Sequence, residues 1–161
     1  AASQVISMAT HISTDIAFRS VSDSQMSAAL KKRKAAGPEE RDIYASYIHE
    51  RFLEMLKPHA SRIVFQFSFA AEPLPYETAS LVTQRSIANL ADVVSRHPEV
   101  KFLCFVASRH ANQSLCTLCR ELPNFSLAAY WWHNFFPDAM RQVLAERLDM
   151  IPLNTSTERA S

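Results

Sequence analysis

A single glycine, Gly37, stands in a chain of 161 residues, where a background of about 7% would supply about 11. No other feature narrows the fold and the chemistry so far. Phosphate cradles need glycine where the backbone must approach a ligand closely or take positive φ. A P-loop, a dinucleotide fingerprint and a Gly-x-Ser-x-Gly nucleophile elbow are therefore excluded. All-β folds built on glycine turns are disfavoured for the same reason.

Punctuation falls to the eight prolines instead. Val5 to Ile12 leans towards strand, and Ser22 and Asp23 offer caps for a helix from about Ser24 to Ala35. Lys31-Lys32-Arg33-Lys34 then fall in its last turn, where positive charge complements the helix dipole. Gly37-Pro38 breaks the chain, and Pro38-Glu39-Glu40 opens a second helix whose apolar residues recur at helical spacing until Pro58. Arg62 to Phe69 is a β-branched and aromatic run, the mark of a buried strand. A long helix from about Glu77 to Arg96 ends at His97-Pro98. Val100 to Ala107 predicts a strand, Asn112 to Glu121 a helix, Phe125 to Trp132 a strand and Pro137 to Arg147 a helix. Asp149 to Leu153 predicts a short terminal strand.

Near-continuous apolar strands alternating with amphipathic helices imply α/β architecture with parallel strands buried on both faces. Two candidates remain: a small open doubly wound sheet, or consecutive βα units of an incomplete (β/α)8 TIM-type barrel. A barrel spends roughly 31 residues on each unit, so this length accommodates about five units, not eight.

Charge and cysteine count remove other classes. Seventeen basic side chains against 16 acidic leave a net charge of +1, so no electrostatic nucleic-acid binder is expected. No apolar run approaches the roughly 18 residues of a membrane span, and no membrane partner is expected. The odd number of cysteines, three, favours a reducing, cytoplasmic setting. Cys116-x-x-Cys119 resembles a metal or redox pair, but it falls inside a predicted helix with Cys104 in a buried strand. Small apolar residues on an inner face are the simpler reading.

In either architecture, function collects beyond the carboxyl ends of the strands. Those positions carry Thr14-Asp15 with Arg19, then Ser68 and Glu72, then Ser108-Arg109-His110-Ala111-Asn112, then Tyr130-Trp131-Trp132-His133-Asn134. The opposite ends carry Arg62, Glu99, Lys101 and Asn124. Arg109 is a candidate for holding a carboxylate, because a guanidinium fork matches its geometry. His110 and His133 are candidates for proton transfer, and His133 follows two indoles suited to stacking a sugar. Asn112 joins Arg109, Trp131 and Trp132 as a candidate substrate contact. Helix capping and ordinary loop polarity would produce much of the same pattern. The remaining histidines are scattered, with no His-x-His and no His-Glu-x-x-His, so no metal-ligand pair is recognisable.

From Arg62 to Asn154 the chain resembles the uronate (glucuronate) isomerase family of the amidohydrolase superfamily. The residues that carry the resemblance are Phe65-Gln66-Phe67-Ser68, His97-Pro98, Pro123-Asn124, Tyr130-Trp131-Trp132-His133-Asn134, and Met140 through the Leu144 helix into Ile151-Pro152-Leu153-Asn154. Residues 1–61 match only loosely, and residues 1–161 are read as one partial barrel domain. The resemblance implies an aldose–ketose isomerase acting on a hexuronate beside a divalent metal, commonly zinc, in a longer parent enzyme able to form oligomers. Departures are clear. The family's metal-binding His-x-His on the first strand and the acid after its last strand have no counterpart. Ser68 replaces a strand-end histidine, and Trp131-Trp132-His133 replaces Trp-Trp-Phe. The chain alone is accordingly expected to bind no such metal and to be inactive. A non-catalytic binding or interaction module and a hydrolytic amidohydrolase relative are the alternatives.

Overall fold

The structure, a computed structural model, describes residues 7–12, 16–32, 35–69, 82–106, 109–128 and 136–152. Strand β1 (Ser7–Ile12) leads into the helices α1 (Asp23–Lys32) and α2 (Pro38–Leu56). A 3-10 turn, Lys57–His59, precedes β2 (Val64–Phe69). Then follow α3 (Gln84–Arg96), β3 (Lys101–Val106), a 3-10 turn Arg109–Ala111, α4 (Asn112–Glu121), β4 (Phe125–Leu127) and α5 (Pro137–Met150).

Every strand pair is parallel, and the spatial order is β1-β2-β3-β4. That order decides between the two architectures. A doubly wound sheet reverses direction at a switch point, whereas a barrel adds each strand beside the last. The described strands advance without reversal, as consecutive staves of a barrel do. Four staves are present among the described residues, not five.

Side chains alternate across the sheet because successive Cβ atoms point to opposite faces. Phe65, Phe67 and Phe69 of β2 and Phe102, Cys104 and Val106 of β3 are buried beneath the helices. Phe65 meets Phe52 of α2 at 5.5 Å and Phe102 edge-on at 5.8 Å; Phe67 meets Phe125 at 6.4 Å. The other face is less covered: Val64, Gln66 and Ser68 are half-buried and Ser126 is exposed. The expected burial on both faces therefore holds only on the helical side. In a closed barrel the opposite face is packed by side chains from strands across the interior.

Two predictions change, at the start of α3 and after α5. Thr83 caps α3: its hydroxyl accepts from Ser86 N at 3.1 Å, so the helix starts at Gln84 rather than Glu77. Among the described residues β4 covers Phe125–Leu127, with Ala128 N still donating to Cys104 O at 2.8 Å. Residues 129–135 lie outside the described residues. The terminal strand expected from Asp149 to Leu153 does not form over its described residues, 149–152. α5 continues to Met150, and Ile151 N donates to Arg147 O at 2.9 Å, so local helical bonding wins there.

Candidate functional site

At the carboxyl end of β3, the 3-10 turn Arg109–Ala111 opens α4. Arg109 and His110 are exposed and make no hydrogen bond or ion pair with described residues. A guanidinium and an imidazole are thus presented side by side to solvent. Asn112, three residues beyond Arg109, behaves differently. It is fully buried, its Oδ1 accepts from Arg147 Nε at 2.8 Å, and its Nδ2 donates to Glu146. Arg147 Nη1 also donates to Ala128 O at 2.6 Å, just past β4. Asn112 is therefore a cross-brace joining α4, α5 and the end of β4, and a ligand would reach it only if that brace opened. The signal for this lay in α5, where Glu146-Arg147 follows an apolar stripe.

Trp131, Trp132 and His133 lie outside the described residues, as do Thr14, Asp15, Glu72, Ser108, Tyr130 and Asn134. Ser68 is half-buried on β2, in register with His11 of β1 and Phe105 of β3. Arg19 does not join this group. Its Nε donates to Asp42 Oδ2 at 2.7 Å, while Ala17 N binds the other oxygen, which ties the segment after β1 to α2.

The amino end of the sheet is far more tightly organised. Asn124, immediately before β4, holds its Nδ2 at 3.0–3.2 Å from the carbonyls of Val94, His97 and Val100. One amide thereby pins the end of α3 and the following turn against β4. His97 sits in that turn with 1% exposure. Its Nε2 is 3.2 Å from Glu50 Oε1 on α2, yet neither ring nitrogen makes a hydrogen bond of good geometry. Arg96 Nη1 donates to the other Glu50 oxygen at 2.7 Å, and Arg96 also reaches the Phe18 carbonyl. Phe18 is buried at φ 50°, a left-handed conformation costing a non-glycine residue about 1–3 kcal/mol. Burial pushes the Glu50 carboxyl up, but the Arg96 hydrogen bond and charge, with the His97 ring close by, outweigh it and hold it below the usual value.

Glu54 lies one turn beyond Glu50, and Glu50, Glu54 and His97 each offer a ligand atom within 4.8 Å of the others. Among the described residues this is the group able to hold a metal ion. It was missed in the sequence because its members come from α2 and the end of α3. The visible trace is a Glu-x-x-x-Glu spacing, which places both carboxylates on one helix face.

The cysteine pair takes the simpler reading. Cys116 and Cys119 sit on the buried face of α4, and all three cysteines are buried. Burial pushes the Cys116 thiol up to about 11 and Cys104 higher still, which leaves both unreactive at neutral pH. A cleft of about 270 Å³ opens between α1 and α2, and the residues that line it, Ala29, Leu30, Glu40 and Tyr44 among them, include none of a strand. Among the described residues, no helix is long and apolar enough to cross a membrane.

The fold defines a class: a run of parallel βα units of the (β/α)8 barrel type. It is similar to the crystal structure of uronate isomerase from Thermotoga maritima, with a TM-score of 0.70 and 17% identity. That match covers 90% of this chain and 35% of the isomerase, so the chain spans about a third of its length. The chain matches no protein-family model, and no curated protein matches it.

Proposed function

We propose that the chain contributes four staves to a uronate isomerase-like barrel that interconverts an aldose and a ketose form of a hexuronate. The observation that carries this reading is the unreversed parallel order β1-β2-β3-β4, on a backbone similar to that isomerase. Arg109 would pair with the sugar carboxylate in a fork, Trp131 and Trp132 would wall the ring, and Asn112 would hold the turn that presents Arg109. Isomerisation moves one proton between C2 and C1 and a second between the oxygens on those carbons; the two histidines are candidates for the first. His110 or His133 would take it from one carbon and return it to the other.

In the resembled family a divalent metal, commonly zinc, polarises the sugar oxygens. The described strand ends do not fit that group. They bring no histidine or carboxylate cluster together, and the described donor cluster lies at the opposite end of the sheet.

The test is the conversion of glucuronate and galacturonate to their ketoses by a closed-barrel polypeptide containing this chain. His133→Ala is expected to lower turnover about a hundredfold or more, and Arg109→Ala to raise KM. Unchanged rates in both would remove both roles. The 161-residue chain alone is expected to show no turnover. Hydrolysis without ketose formation would favour the hydrolytic alternative.

A further inference from the structure

We infer that Glu50, Glu54 and His97 form a structural site for a divalent transition-metal cation at the amino end of the sheet, independent of the isomerase reading. Three observations converge. The first is geometric: the three donor atoms already lie within 4.8 Å of one another. Metal bonds of about 2.1 Å in a tetrahedral shell need donors about 3.4 Å apart. The remaining adjustment is small for Glu54, which is exposed and held only by its surface pair with Lys57.

The second is the state of His97. It is 1% exposed, and both ring nitrogens lack a hydrogen bond although Nε2 faces the Glu50 carboxylate. Buried polar atoms are rarely left so, because each costs about 1–3 kcal/mol. A cation between Nε2 and Oε1 gives the imidazole lone pair a partner.

The third is charge. The carboxylates of Glu50, Glu54, Asp92 and Glu99 are linked through ion pairs to two cations, Arg96 and Lys57. Arg96 occupies only one Glu50 oxygen, and Lys57 holds Glu54 through a surface pair that contributes little. An excess of carboxylates beside a buried imidazole suits a divalent ion. One nitrogen and two oxygen donors select zinc-like ions over magnesium or calcium, which prefer all-oxygen shells. Bound there, the ion would clamp the end of α2 to the turn between α3 and β3, and water would complete its shell on the exposed Glu54 side.

The experiment is titration of the 161-residue chain, stripped with chelator, with Zn2+, Co2+ and Mg2+. It is read by calorimetry and by the visible absorption of Co2+. One equivalent of Zn2+ and Co2+ is expected, with no comparable Mg2+ binding. Glu54→Gln and Glu50→Gln are each expected to weaken Zn2+ by at least about tenfold, while Asp92→Asn leaves it unchanged. His97→Asn should behave as the glutamine variants do; because His97 is buried, Glu54→Gln keeps the test valid should that variant fail to fold. Absence of stoichiometric Zn2+ binding, equal affinity for Mg2+, or binding that survives Glu54→Gln overturns the site.

Discussion

The two ends of the sheet are built on opposite principles. At the amino end, Asn124 spans three carbonyls and Arg96 bridges Glu50 and the Phe18 carbonyl, so polar groups are spent on one another. At the carboxyl end, Arg109 and His110 stand exposed without described partners, over a buried brace of Asn112, Arg147 and Glu146. A polar group that has a partner stabilises the fold; one left in water remains available to a ligand at no folding cost. The difference teaches where each kind of residue acts. Polarity alone marked the carboxyl end as the chemically rich one, and only pairing separates structure from availability.

That contrast breaks most readily at the buried brace. Asn112→Ala removes the oxygen that accepts from Arg147 Nε, and urea unfolding should show a loss of about 2 kcal/mol. A loss near zero would mean that the carboxyl end has no braced floor.

The next effect concerns pH at the amino end. The Glu50 carboxyl is held below its ordinary value of 4.5 by Arg96 and His97 against the opposing effect of burial. A depressed carboxylate stabilises the fold above the unfolded-state value, and that contribution disappears as pH falls through the folded-state value. Thermal melts of the chain should therefore lose stability on acidification below about pH 4.5. In Glu50→Gln that part of the acid limb should flatten. An identical acid limb in both proteins would detach Glu50 from the network.

The smallest effect is expected from the exposed pair. Arg109→Ala and His110→Ala should each change stability by no more than about 0.5 kcal/mol in the same unfolding assay. A larger loss would show that these side chains are structural, and would erase the distinction between the two ends.

Local patterns made the elements legible. Asn112 to Glu121 forms a helix with the expected bounds, because helical spacing and Pro123 mark it within a few residues. The Arg62 to Phe69 run is a strand from Val64, because β-branched and aromatic residues favour the pleat whatever surrounds them. Where local signals competed, the reading slipped. Asp149 and Met150 look strand-like beside Ile151-Pro152, but the hydrogen bond from Ile151 N to Arg147 O extends the helix through them. The start of α3 turned on a Thr83–Ser86 capping box, a short motif easily overlooked in a polar stretch.

The sequence by itself determined the alternation of strands and helices, the exclusion of glycine-built phosphate sites, and the candidate residues at the strand ends. These depend on periodicity and residue chemistry, which act over a few positions. Tertiary structure alone decided that the strands advance without reversal, that Asn112 is a brace, and that Glu50 and Glu54 meet His97. Such juxtapositions are set by how helices pack across a sheet, which brings together residues distant along the chain, and no local spacing records which of them will touch.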